Sequence, residues 1–182
     1  MDLLSGVRDN SGAVPPIDSW SESGPFKLWS QGYSEGLCTI DEMEIPMSIL
    51  RPWKPYRTGG SVLYIDSAGR KHALESAGAA ARLSHMAERD ENRGYPAIFV
   101  PDLPGYGDSS PALTPYQIAA WGSMDRLLAF HSFANGDGVL AMQIRSAAAI
   151  LDEIARRNTL PANKTVIVGA GIGGVIAIIA AA

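Results

Sequence analysis

The segment Thr165 to Ala182, TVIVGAGIGGVIAIIAAA, constrains this chain more than any other. It runs eighteen residues without a charge and places Gly169, Gly171, Gly173 and Gly174 within six positions. Its opening Thr, Val, Ile and Val favour a strand, and so many glycines are costly inside a single helix. The pattern predicts a buried strand over Thr165–Gly169, a tight glycine turn, and an apolar helix. A transmembrane helix competes, because the stretch is just long enough to cross a bilayer and the Gly169/Gly173 spacing suits close helix contact. The strand-forming start and the glycine content weigh against it.

Two chemistries fit a strand, glycine turn and helix. Gly169, Gly171 and Gly174 match G-x-G-x-x-G, in which a helix N-terminus and backbone N–H groups receive a pyrophosphate. The run VIVGAGIGG is similar to the start of flavin-dependent monooxygenases, which implies a flavin or nicotinamide cofactor held by those three glycines. That motif calls for an acidic residue about 20 positions further on, and the chain ends eight residues after Gly174. The other chemistry is the nucleophile elbow G-x-S-x-G, a strand-to-helix turn that exposes a serine. Gly169, Ala170, Gly171, Ile172 and Gly173 reproduce that frame with glycine at the nucleophile's position.

The rest of the chain supplies the context. Residues 1–25 are rich in Ser, Gly, Pro and Asp and read as an irregular arm, with Trp20 as an anchor onto the domain of residues 26–182. LCTI, the acidic turn DEME and IPMSILRP suggest two short antiparallel strands. Pro46 argues that the second lies at a sheet edge or starts there. VLYID (62–66), an alanine-rich helix over 73–89, AIFVPD (97–102) and the strand at Thr165 form βα units, since buried parallel strands lose alternation. A helix opening at Thr114, Pro115 and Gln117 carries capping-box and N1-proline signals and runs to Phe133. A second places Leu140, Ile144, Ala147, Ala148, Leu151, Ile154 and Ala155 on one stripe. The expectation is an α/β protein with a mainly parallel sheet and helices on both faces.

Read in order, these segments resemble the α/β-hydrolase superfamily, in particular its acetyl xylan esterase, dienelactone hydrolase and prolyl-oligopeptidase-like branch. FVPDLPGYGDSS resembles the D-x-R-G-x-G-x-S passage after the fourth strand, with Pro104 where Arg is common. SILRPW resembles the edge strand, VLYIDSAGRK the strand and oxyanion loop, and AILDEIARR the helix before the elbow. The resemblance covers about two-thirds of the chain and implies an ester hydrolase working by acyl transfer, inactive in the residues given, or alternatively a non-catalytic hydrolase fold that binds a small ligand or a protein partner. It makes Gly171 the nucleophile position with its serine absent, Ile172 an oxyanion N–H donor and Ala68 a second one. It also implies that the chain stops after the elbow helix, with a sheet edge open to self-association. Asp66 and Ser67 depart from the family's usual His and Gly, and the expected order of nucleophile, acid and histidine is unfilled, as residues 172–182 hold neither acid nor histidine.

Other candidates read more plainly. His72, His85 and His131 all precede the turn, and a histidine without a placed partner is an ordinary surface or packing residue more often than a base. Asp102 reads as a loop-ordering acceptor. Asp108, Ser109 and Ser110 share its loop, and Tyr106 lines a pocket or packs the loop. Cys38 reads as a small apolar strand residue. A single cysteine and three histidines give no typical zinc site, and a net charge of -4 without blocks gives no footprint for nucleic acid or an anionic membrane. No cofactor is expected on the hydrolase reading, and a small ester is its implied partner. Arg8 and Asp9 interrupt any signal-peptide core, so a cytoplasmic location is the default.

Overall fold

The computed structural model describes residues 16–28, 31–52, 58–75, 78–88, 95–110, 126–130, 138–157 and 165–182, with 114, 120 and 122 singly. Six strands form one sheet: β1 (Ser19–Leu28), β2 (Gln31–Ile40), β3 (Met43–Pro52), β4 (Thr58–Asp66), β5 (Tyr95–Pro101) and β6 (Thr165–Ala170), in the order β1-β2-β3-β5-β4-β6. β5–β4 and β4–β6 are parallel, whereas β1–β2, β2–β3 and β3–β5 are antiparallel. The α/β class stands, with a mixed sheet in place of a mainly parallel one. β1, β2 and β3, joined by short turns, are antiparallel to one another, while β4, β5 and β6, joined through helices, run parallel.

The expected irregular arm is shorter than its composition implied, because β1 begins at Ser19 and pairs with β2. Trp20 holds it in place, its ring edge-on to Phe99 at 6.3 Å and under the Arg157 guanidinium at 4.8 Å. Pro46 corrects a second expectation: it lies inside β3, an interior strand, opposite Leu37. β5 pairs with β3 only from Met47 to Leu50, and Pro46 O accepts the Asp102 N–H at 2.8 Å just past that ladder. On an antiparallel strand a residue's N–H and C=O point the same way, so the donor that proline lacks would face the space beyond the end of β5.

Two apolar layers sandwich the sheet. Leu63, Ile65, Ala97 and Phe99 pack on one side against Ile144, Ala147, Ile150, Ile154 and Ile176, while Tyr64, Ile98 and Val100 pack on the other against Ala73 and Ala80. The period-2 alternation of β4 and β5 sends successive side chains to opposite cores. Helices α1 (Arg70–Leu74) and α2 (Ala79–Glu88) cover the second face, and α3 (Val139–Arg157) and α4 (Ile172–Ala180) the first.

The single helix expected over 73–89 is two. The chain breaks at Glu75, whose backbone is extended, and Gly78 lies so close to the end of α1 that a Cβ there would strike Ala73 O at 2.3 Å. On α3, Ile144, Ala147 and Ile154 are buried as expected, but the stripe is rotated: Leu140 is 42% exposed, and Gln143, Ser146 and Ile150 are buried instead. Gln143 can be buried because its Nε2 donates to Pro104 O at 2.7 Å. The helix expected from Thr114 lies mostly outside the described residues, within which 126–130 are helical. Among the described residues no helix is long and apolar enough to cross a membrane.

Candidate functional site

The connection from β4 to β5 runs on one face through α1 and α2, and the return from β5 to β6 passes α3 on the other. β4 and β6 therefore flank the point at which the winding reverses, where open α/β sheets place ligands beyond the strand C-termini. Their parallel register is continuous from Ser61↔Thr165 to Asp66↔Ala170. Ser67 and Gly171 are thus the next residues along, side by side just past the sheet.

Gly171 has φ 60° and ψ -132° and is the N-cap of α4. A side-chain-bearing residue is strained there. The glycines around it serve packing: a Cβ on Gly169 would fall 2.1 Å from Gly173 O, and one on Gly173 would fall 2.5 Å from Ile65 O. The helix therefore lies directly on the strands, as the crowding expected of a sharp strand-to-helix turn requires. A Cβ at Gly171 itself would meet Oγ of Ser67 at 2.6 Å. Ser67 lies next to the position the sequence singles out.

The loop after β4 is rigidly held. Asp66 Oδ1 accepts the Ala68 N–H at 2.9 Å, and Gly69 N–H donates to Asp66 O at 3.0 Å. The Ala68 N–H, expected as an oxyanion donor, is therefore already engaged by Asp66. Ile172 is exposed at the start of α4, where the first N–H groups have no intrahelical partner. His72 does have a partner, Oδ2 of Asp66 at 3.1 Å from Nδ1. The hydrogen bond that Nδ1 donates to Asp66, and then the Asp66 charge, raise the His72 pKa above its ordinary value. His85 falls on α2, and His131 lies outside the described residues.

Beneath the loop sits Arg70, which sequence reasoning missed. Asp102, fully buried, accepts Arg70 N–H at 2.6 Å, Arg70 Nε at 3.1 Å and Asp108 N–H at 2.9 Å. Arg70 also reaches Ser48 at 3.1 Å and Asp108 at 2.8 Å. Burial alone would lower the Arg70 pKa, but Asp108, Asp102 and Glu35 outweigh it and the net shift is upward. Asp108 is held below the usual carboxylate range by Lys71 and then Arg70. Asp102 thus has the loop-ordering role read from its turn, and Asp108 secures the same guanidinium. A signal existed: the acidic loop D-L-P-G-Y-G-D lacks a cation of its own, with Pro104 where Arg is common, so the cation had to come from elsewhere.

Ser109 Oγ donates to Asp102 O at 2.7 Å, Ser110 ends the short 3₁₀ turn Gly107–Ser109, and Tyr106 packs partly buried against the core. All three serve the loop. Cys38 is buried and its thiol is pushed up to about 12 by desolvation, which leaves it inert. A cavity of about 450 Å³ opens on the other side of Arg70, lined by Ser21, Glu22, Ser23, Glu35 and Pro46 among others, and does not reach Gly171. Among the described residues no three His, Cys, Asp or Glu side chains converge as metal ligands.

No family profile matches this chain, and no curated protein matches it. Solved structures do. An acetyl xylan esterase candidate from Bacteroides fragilis NCTC 9343 superposes with a TM-score of 0.67 at 14% identity, over 90% of this chain and 45% of its own. The acetyl xylan esterase from Paenibacillus sp. R4 gives 0.61 at 17% identity, over 91% and 50%. Acetyl xylan esterase 1 from Thermoanaerobacterium sp. JW/SL YS485 gives 0.56 at 12% identity, over 97% and 51%. The chain spans about half the length of the structures it matches. All three neighbours are named as esterases, and the dinucleotide reading of Gly169, Gly171 and Gly174 gains no support from them. The fold is that of the α/β hydrolases.

Proposed function

From the α/β-hydrolase fold we propose that these residues carry an ester hydrolase's front half with the nucleophile removed, a silent site that still receives a small ester. One observation carries the reading: the β6–α4 turn keeps the strained backbone of an elbow at φ 60° and ψ -132°, while the residue there is Gly171. Acyl transfer needs a hydroxyl to attack the carbonyl, a base to take its proton and N–H donors for the oxyanion. Position 171 has no hydroxyl, and Ile172 N–H is the donor that remains at the turn. The esterase neighbours support the substrate class.

Serine-directed fluorophosphonate labelling and p-nitrophenyl acetate turnover test this reading. The chain is expected to show neither above a buffer control. Stoichiometric labelling or saturable turnover would overturn it.

Among the described residues β6 is the last strand on this side of the sheet, and self-association along that edge belongs to the proposal. β6 pairs with β4 on one side; Val166 on β6 is 54% exposed, and Ile172, Val175 and Ile178 on α4 are 59%, 48% and 74% exposed. An apolar edge of this kind is a template for association.

A further inference from the structure

We infer that Ser67 supplies the hydroxyl of this site, and that the ligand it takes is an uncharged acyl compound, held through its carbonyl oxygen and not cleaved. This rests on the silent-hydrolase reading and extends it to a residue and a ligand class.

Position comes first. Ser67 Oγ stands 2.6 Å from where a side chain at residue 171 would begin, and Ser67 Cβ stands 3.6 Å from the same point. A hydroxyl on the turn after β4 thus stands beside the position after β6 whose own hydroxyl is missing. The β4–β6 register ends at Asp66↔Ala170, which puts residues 67 and 171 abreast.

Preorganisation follows. Ser67 is the middle of a turn closed twice, by Asp66 Oδ1 with Ala68 N–H and by Asp66 O with Gly69 N–H. Gly69 is locked in turn: a Cβ on it would lie 2.7 Å from Gly107 Cα, and the next N–H, that of Arg70, is held by the buried Asp102. A hydroxyl carried on such a turn binds at little ordering cost.

Surroundings set the ligand. Above the pH at which His72 loses its proton, the Asp66 carboxylate one residue away carries an unbalanced charge that disfavours a second carboxylate. There a neutral carbonyl is preferred over the acid that hydrolysis would release. Ile172, 59% exposed on the adjoining turn, offers an apolar wall. A short acyl group joined to an apolar ring meets both conditions.

Acetanilide, an uncleavable acyl compound of that shape, is the probe, with acetate for comparison, read on the full 182-residue chain by ligand-observed saturation-transfer NMR. Acetanilide is expected to bind saturably and acetate more weakly. Ser67→Ala and Ser67→Cys each remove the hydroxyl and should weaken acetanilide by about fivefold, the worth of one neutral hydrogen bond, while Ser67→Thr keeps it and should stay within roughly twofold. Undiminished binding by either hydroxyl-less variant, shown folded by circular dichroism, would overturn the role of Ser67. So would acetate binding as tightly as acetanilide. Turnover of p-nitrophenyl acetate by the parent chain would sink the silent reading and with it the claim that the ligand is held uncleaved, whereas loss of Ser67 dependence without turnover would overturn the role of Ser67 alone. No saturable acetanilide binding at all would remove both.

Discussion

Nδ1 of His72 lies 3.1 Å from Oδ2 of Asp66, an exposed imidazole set on a carboxylate that is 5% exposed. The hydrogen bond, and then the charge, favour the imidazolium and raise the His72 pKa above the ordinary 6.5. A raised pKa contributes stability that is fully present below the unfolded value and lost as pH rises through the folded one. The His72 ring resonances should therefore titrate above the ordinary value in the parent and return toward it in Asp66→Asn. An unchanged midpoint in that variant would show that the pair does not form in solution.

Putting a hydroxyl back at the turn should cost stability without giving activity. Gly171→Ser places a side chain at φ 60°, where about 1–3 kcal/mol of backbone strain is expected. Its Cβ also meets the Ser67 hydroxyl, which rotates away cheaply. Serine stays a weak nucleophile until a base takes its proton, and residues 172–182, where the superfamily's acid and histidine would follow the nucleophile, hold neither. Denaturant melts should show the loss, and p-nitrophenyl acetate should remain intact. Efficient turnover would mean that His72, or a histidine outside the site, reaches residue 171.

The Arg70–Asp102 contact predicts a large effect far from any chemistry. Asp102→Ala leaves Arg70 to Asp108, Glu35 and Ser48 but takes the acceptor from two backbone N–H groups as well as from the guanidinium. It should therefore lower the denaturant midpoint, by about 2–4 kcal/mol in stability. Asp102→Asn keeps an acceptor and should fall between. Arg70→Lys loses the fork that serves Asp102, Ser48 and Asp108 together and should not behave as a conservative change. A loss under about 1 kcal/mol for Asp102→Ala would mean that water satisfies Arg70 in solution.

At the β6 edge, the chain should bind ANS and grow in hydrodynamic size with concentration. Val175→Glu with Ile178→Glu replaces two of the four exposed apolar side chains beside β6 and should lower dye fluorescence by roughly half. A monodisperse parent that leaves the dye dark would mean that this edge is covered.

Much of this was legible because the physics is local. β4 and β5 announce themselves as apolar runs, since strands buried on both faces need no alternation. β6 carries the same run but is only partly covered, with Val166 54% exposed, which corrects the buried strand expected there. The glycines of the β6–α4 turn are forced by contacts with their own neighbours. β1 was hidden: its sequence SWSESGPF is polar, and it is a strand because β2 supplies a ladder and Phe99 a surface for Trp20. Pro46 misled because its missing donor matters only relative to where β5 stops. The rotation of α3 depends on Pro104, 39 positions from Gln143. Ser67 was illegible because it acquires its meaning from a residue on another loop; for Arg70 the sequence held only the need for a cation, and not which residue supplies it.

The β4–β6 ladder also imposes a schedule. It joins Ser61 to Thr165, roughly 100 residues apart, which at a translation rate of about 5–20 residues per second is a delay of some 5–20 s. During that interval the emerging chain can complete the antiparallel half, β1 through β3, and add β5 and then β4, but one flank of β4 has nothing to pair with. Nascent β4 is therefore the segment on which a holding chaperone, or a second nascent chain on the same message, has the longest opportunity to act.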